Sequence, residues 1–209
     1  EPRIVVPVVV GSSPIVHPIH VMLIVISGPS GVGKGTIINQ LLQDHNFLTL
    51  SVSATTRQPR PNETHGEDYY FFNHDEFDRL IQKYAFLDWC TVHTNRYGTL
   101  KDDVSKKLIN ARAVIIEIDV QGAKKIRQHG DFKQHHIFIA PPSLGILKKR
   151  LTARNTESEP IIAQRLAQAE NELNEKDNYD TIIVNNELTQ THIELNNVIL
   201  SLLTEGVTQ

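Results

Sequence analysis

The stretch that decides the fold reads Leu23-Ile24-Val25-Ile26-Ser27-Gly28-Pro29-Ser30-Gly31-Val32-Gly33-Lys34-Gly35-Thr36-Ile37-Ile38, with Leu41 and Leu42 following at helical spacing. A short β-branched run predicts a buried strand, and apolar residues three and four apart predict a helix. Between them, Gly28 to Lys34 satisfies the pattern G-x-x-x-x-G-K. A loop of this kind curls so that successive backbone N–H groups point inward, and the helix N-terminus adds positive potential. The lysine can then reach the β- and γ-phosphates of a nucleotide. Gly28, Pro29, Ser30, Gly31, Val32, Gly33, Lys34, Gly35 and Thr36 are therefore the candidate residues for binding a nucleoside triphosphate. The bland alternative is an ordinary glycine-rich turn, which the strand–loop–helix context argues against.

One position departs from the pattern. Gly35 stands where a hydroxyl usually holds magnesium, and the hydroxyl comes one residue later, at Thr36. A shift of one residue turns a side chain by about 100° around a helix. Mg2+ is thus expected to rely on phosphate oxygens and water, with Thr36 and Asp119 as the candidate protein ligands.

Further along, Ala113-Val114-Ile115-Ile116-Glu117-Ile118-Asp119 reads as a buried strand ending in acid, and His136 to Ala140 and Thr181 to Val184 read as two more. Helical patterns cover Gln121 to His129, Ser143 to Arg154, Pro160 to Lys176 and Leu188 to Leu203. Strands alternating with helices predict an α/β fold, a parallel sheet covered by helices on both faces. From about Ser51 to Ser105 the pattern changes to a Pro-, Thr- and Arg-rich loop, the aromatic run Tyr69 to Phe72, and a helix near Asp75 to Lys83. This segment reads as an inserted α/β lobe.

The 209 residues are 40% hydrophobic and 22% charged, the make-up of one globular domain with a core of its own. A formal net charge of -3 gives no global basic field for nucleic acid or anionic lipid, so any phosphate site has to be local. Cys90 is the only cysteine, which excludes an internal disulfide and a multi-cysteine zinc site and suits a reducing cytoplasm. The ten histidines show no metal-binding spacing; of the adjacent His135 and His136, one should point inward and one outward. Residues 1–21, with Pro7, Pro14 and Pro18 breaking a short apolar run, are too short to span a bilayer and lack the form of a signal peptide. They read as an N-terminal extension, vector-derived or disordered.

The loop Ser51-Val52-Ser53-Ala54-Thr55-Thr56-Arg57-Gln58-Pro59-Arg60-Pro61, with Gly66-Glu67-Asp68-Tyr69-Tyr70 close behind, offers hydroxyls and two guanidiniums. That chemistry suits a phosphate dianion, although composition alone does not separate it from a solvated loop. At this point the sequence resembles guanylate kinase: GPSGVGKGT, SVSATTRQPRP, GEDYYFF, FLDW, NRYGT, EIDVQGA, IAPPS, LKKRL, RNTESE and IIVNN occur in the family's order across residues 22–203. The resemblance implies phosphoryl transfer from ATP to GMP, with Mg2+, by a core (22–50, 106–144 and 178–203), a GMP-binding lobe (51–105) and a lid with its flanking helices (145–177). Residues 204–209 are left as a C-terminal tail.

Carried over residue by residue, the resemblance implies that Ser53, Arg57, Arg60, Tyr69 and Tyr97 hold the GMP phosphate, and that Asp88, Thr99 and Asp119 read guanine. The chemistry agrees, since guanine's N1–H and amino group are two donors that a carboxylate can accept together. Asp88 departs from the glutamate usual in the family and is one methylene shorter. Lys34, Arg60, Arg150, Arg154 and Arg165 are the implied catalytic cations, and Asn185 is placed near the adenine; Asn186 replaces the family's usual aspartate. On spacing alone, Arg150 and Arg154 would read equally as a solvated basic face with Lys148 and Lys149. Glu117 stands as a weaker site candidate than Asp119.

Other outcomes remain open on the residues. A non-catalytic guanylate-kinase-like module that binds phosphopeptides would be expected to have a degraded phosphate loop, and this one is intact. A ribose-phosphate kinase would not need Asp88, Tyr69, Tyr97 and Thr99 together. The expected partners are ATP and GMP rather than nucleic acid or membrane, with the chain a monomer or homodimer in the cytoplasm. Cys90 and the helix-spaced Ile161, Ile162, Leu166, Ala169 and Leu173 are expected in the core.

Overall fold

A computed structural model describes residues 21–92, 94–130, 132–153 and 158–204. Along the chain run β1 (Met22–Ser27), α1 (Lys34–Asp44), β2 (Leu48–Leu50), β3 (Ser53–Thr55), β4 (Tyr70–Phe71), α2 (His74–Gln82), β5 (Phe86–Val92) and β6 (Asn95–Leu100). They are followed by α3 (Lys101–Asn110), β7 (Ala113–Glu117), α4 (Val120–Arg127), β8 (Gln134–Ala140), α5 (Leu144–Ala153), α6 (Glu159–Leu173), β9 (Thr181–Val184) and α7 (Leu188–Thr204).

The central sheet has the order β2-β7-β1-β8-β9, and every pairing in it is parallel. Its middle strands carry unbroken apolar runs, 22–26, 113–116 and 137–140, because both faces are covered there. Side chains alternate across a strand, and the core divides accordingly. Met22, Ile24 and Ile26 of β1, Ile115 of β7 and Ile137 and Ile139 of β8 pack with Ile37, Ile38 and Leu41 of α1 and Leu195 and Ile199 of α7. Leu23, Val25, Val114, Ile116 and Phe138 face the other way, onto Val104 and Leu108 of α3 and Ala123 and Ile126 of α4. The covered parallel sheet predicted from the alternating pattern is thus present. The expected strands and helices occur in order, with ends displaced by a few residues.

A second, mixed sheet has the order β4-β3-β6-β5, with β6 antiparallel to both β3 and β5. Its own small core stacks Phe77 of α2 on Phe86 of β5, with ring centroids 4.5 Å apart. Asn73 and Glu76 form a reciprocal capping box at the start of α2, which fixes where that helix begins. α3 runs unbroken through positions 105 and 106 back to the central sheet.

Asp103 joins the two sheets. It is buried, and its carboxylate accepts from the Val52 N–H at 3.0 Å, the Tyr70 hydroxyl at 2.8 Å and Lys107 Nζ at 3.0 Å. Burial and this acid push the Tyr70 phenol up to about 12. α5 and α6 pack on each other through Leu147, Leu151, Ile162 and Ala169, with Leu166 half-buried. Ile161, expected in the core, is 45% exposed because it lies on the outer side of α6. Cys90 is half-buried rather than enclosed, and its thiol is pushed up to about 11 by burial, which keeps it protonated. Among the described residues, no helix is long and apolar enough to cross a membrane.

His136 is 2% exposed and pairs with Gln134 through Nε2 at 2.8 Å, while its Nδ1 has no partner; His135 lies half-buried beside Thr181. Burial, with help from Arg127, lowers the His136 imidazole to about 4, against about 6.5 in the unfolded chain. Between those values the unfolded state binds the extra proton, so stability falls as pH drops from 6.5 towards 4. The loss should reach about 2 kcal/mol once solvent screening is allowed for. Urea unfolding midpoints across this range should show the slope, and His136→Gln should flatten it.

Candidate active site

Parallel α/β sheets bind ligands at the carboxyl ends of their strands, and of the residues singled out from sequence the phosphate loop, Ser53, Tyr69 and Asp119 line chambers there. The loop after β1 passes so close to β8 that a Cβ on Gly28 would lie 2.1 Å from the Ile139 carbonyl oxygen. Only glycine fits this approach, at φ 145°. Two open chambers lie over the sheet edge. The larger, of about 450 Å³, is lined by Gly28, Ser30, Lys34, Ser53, Tyr69, Glu117, Asp119 and residues of α6. The smaller, of about 270 Å³, is lined by Ser30, Gly31, Gly33, Lys34, Gly35, Thr36 and Glu117. Ser30, Lys34 and Glu117 belong to both chambers and mark their junction.

Lys34 Nζ donates to the carbonyls of Gly28 at 2.6 Å and Pro29 at 3.3 Å. Burial lowers its pKa, while Glu117, Glu172 and Asp119 oppose the shift. Its ammonium is therefore held by weak neutral acceptors that a phosphate can displace. Ser30 Oγ accepts from Arg165 at 2.6 Å, which brings α6 onto the loop.

Behind the loop the arrangement differs from the sequence expectation. Arg150 donates to the carbonyls of Asn185 at 2.9 Å and Asn186 at 3.1 Å, and more weakly to Val32. Asn185 is 1% exposed; its amide donates to the Val32 carbonyl at 2.7 Å and its oxygen accepts from Thr191 at 3.0 Å. Both side chains act here as struts that tie β9 and α5 to the phosphate loop, and neither lines the two chambers. Arg154 lies outside the described residues.

In the second sheet, the antiparallel pairing sets Ser53, which lines the larger chamber, opposite Thr99, Thr99 opposite Asp88 and Tyr97 opposite Cys90; Asp88, Thr99 and Tyr97 lie behind Ser53 and do not line the chamber themselves. Directly opposed residues share a sheet face, so the hydroxyls and the carboxylate form one row. A bulge between Phe86 and Asp88 re-aims the acid. Asp88 and Thr99 are 4% and 2% exposed. Tyr69 and Tyr97 meet edge to face at 6.2 Å, and the Arg57 guanidinium lies 5.3 Å from the Tyr69 ring centre. Burial raises the Tyr69 phenol, so it serves as a neutral donor.

Glu63, which the sequence reading passed over, grips Arg57 with both oxygens, at 2.8 and 2.9 Å, and accepts from the Arg60 N–H at 2.8 Å. This fork, followed by Tyr97, raises the Arg57 pKa. The Arg60 side chain is 75% exposed and is not brought into the chamber. Asp119 caps α4, accepting from the Gly122 N–H at 2.8 Å, and faces only the larger chamber. Thr36 faces only the smaller one, so the structure does not bring these two candidate magnesium ligands together. Glu117 reaches both chambers. Glu172 and Gln168 of α6 also line the larger chamber, joined to each other at 2.9 Å. Their signal lay in a helical face that reads from sequence as ordinary polar surface.

Comparison with known proteins agrees with this geometry. Residues 20–202 match the family model described as guanylate kinase. The guanylate kinase of Thermosynechococcus vestitus is 47% identical over 179 residues, covering 86% of this chain and 93% of that protein. That of Caldanaerobacter subterraneus subsp. tengcongensis is 43% identical over 183 residues, covering 86% and 87%. The crystal structure of guanylate kinase from Anaplasma phagocytophilum superposes with a TM-score of 0.68 at 30% identity, covering 88% of this chain and 86% of that one.

The strut role of Asn185 is separable from a base contact. Asn185→Ala removes the shorter of the two donors to the Val32 carbonyl and one of the two acceptors of the Thr191 hydroxyl, and should lower stability by about 1 kcal/mol. A urea midpoint equal to wild type would remove the strut.

Proposed function

Since the chain belongs to the guanylate kinase family, we propose that its smaller chamber takes the ATP phosphates, its larger chamber takes GMP, and the γ-phosphoryl crosses between them beside Lys34. The products are ADP and GDP. The observation that carries this assignment is the junction itself, where one buried lysine and one carboxylate line both chambers.

Phosphoryl transfer asks little covalent chemistry of a protein and much positioning and charge neutralisation. The N–H groups of the loop and the first turn of α1 receive the triphosphate, and Lys34 exchanges the Gly28 and Pro29 carbonyls for phosphate oxygens. Arg57, Tyr69, Tyr97 and Ser53 receive the acceptor phosphate, while Asp88, Thr99 and Asp119 face the guanine. A protonated base edge with two donors is satisfied by Asp88, whereas adenine would leave the buried acid unpaired. Arg165 already reaches the loop, and exposed Arg60, held only by Glu63, is free to turn inward. In this reading 51–105 is the GMP lobe, and 145–177 is the lid that closes and keeps water from the phosphoryl group.

The donors facing the smaller chamber, the Thr36 hydroxyl and the Glu117 carboxylate, are oxygens, and a Cβ at Gly35 would stand 3.7 Å from Glu117 Oε2, so the site has room there. This set suits a hard cation held mainly by phosphates and water. Magnesium, when bound, would neutralise charge between the β- and γ-phosphates. Among the described residues no cluster of His, Cys, Asp and Glu could hold a metal unaided. We place the enzyme in the cytoplasm, as a monomer or homodimer.

Lys34→Ala should keep the unfolding midpoint while kcat falls about 10²–10³-fold, as for loss of one preorganised donor to a developing charge; near-normal kcat would remove Lys34 from the reaction. Asp88→Ala should cut kcat/KM for GMP by about 100-fold or more while leaving the KM for ATP alone. Equal losses for both nucleotides in steady-state kinetics would indicate general disorder of the site instead.

A further inference from the structure

The environment of Asp88 poses a problem that the nucleotide contacts do not solve. The residue is 4% exposed. Burial drives its pKa up, and Asp119 adds to the rise. A carboxyl that took up a proton would present a donor to the two donors of guanine, and recognition would be lost.

α4 supplies the counterweight through two residues three apart, which therefore share a face of the helix. Gly122 lets the acid approach: a Cβ there would come within 2.7 Å of Asp88 Oδ2. Lys125, the next residue on that face, places Nζ 3.2 Å from Oδ1. The ammonium is itself anchored. It donates to the Trp89 carbonyl and lies 5.9 Å from the centre of the indole ring. Its side chain is half exposed. The other charged or titratable groups around Asp88 are Asp119, which opposes ionisation, and His129, a minor support, while Cys90 on the same strand stays a neutral thiol. Among the described residues Lys125 is the cation paired with Asp88.

We propose that Lys125 is a positioning residue for guanine specificity: it holds the Asp88 carboxylate as an anion, ready for two N–H donors. The inference rests on the reading that Asp88 contacts guanine. Lys125 acts through Asp88 and need not touch the nucleotide.

Steady-state kinetics of the full chain with saturating ATP and magnesium, GMP varied, between pH 6 and 8.5, test it with Lys125→Met, Lys125→Arg and Asp88→Asn. Relative to wild type, Lys125→Met should raise the KM for GMP about 10-fold at pH 7, because without the ammonium burial favours the protonated acid. The deficit should shrink towards pH 8.5, with kcat and the KM for ATP within about twofold. Lys125→Arg, which keeps the charge, should stay within about threefold throughout. An unchanged KM in Lys125→Met, or a deficit equal at pH 6 and pH 8.5, overturns the proposal, since a loss of packing would not depend on pH. If Asp88→Asn leaves kcat/KM for GMP intact, the guanine-reading role of Asp88 fails, and the proposal falls with it.

Discussion

A lysine ammonium held in a buried place by nothing stronger than two backbone carbonyls is the constraint around which this structure is arranged. Burial lowers the pKa of Lys34, and three acids, Glu117, Glu172 and Asp119, oppose the shift, each arriving on a different element. β7 ends in the first, α6 carries the second, and the third caps α4. The parallel sheet brings β1 and β7 side by side so that their carboxyl ends meet, and the loop between β1 and α1 curls over that edge. The weakness of the Lys34 contacts is what makes them exchangeable for phosphate.

The rest of the site follows from holding two phosphates against that one cation. A second sheet hangs from the first through Asp103, whose carboxylate takes donors from the segment after β2, from β4 and from α3. It presents a row of hydroxyls and one acid on a single face. Behind the loop, Arg150, Asn185 and Thr191 form a brace linking α5, β9 and α7. Residues that the family pattern marks for nucleotide contact therefore also hold the loop in place.

What could be read from the sequence follows the range of each interaction. The phosphate loop was legible because strand, glycines and helix are contiguous, and the two-faced core because β-branched runs and helical spacing are local patterns. The pairing of Asp88 with Thr99 was not, since it depends on the register of β5 against β6. Family order supplied the pair of residues, not their geometry. Asp103, Gly122 and Lys125 went unnoticed because each acts across the fold: Asp103 looks like a helix-surface partner of Lys107, and Lys125 like one more charge on a basic turn; Glu63 acts locally, on Arg57 and Arg60, in a loop that composition does not separate from a solvated one. The reach of Glu117 into both chambers was also not legible in the sequence. Capping α4 engages Asp119, whereas Glu117, at the last position of its strand, is left facing both chambers.

The central claim is that one cation serves two chambers and that the larger accepts guanine. ADP formation by the purified chain, with ATP and magnesium and with GMP, dGMP, AMP, CMP and UMP offered in parallel, tests it most directly. The account predicts rapid turnover confined to GMP and dGMP. Turnover with AMP, or GMP binding without ADP formation, would contradict it.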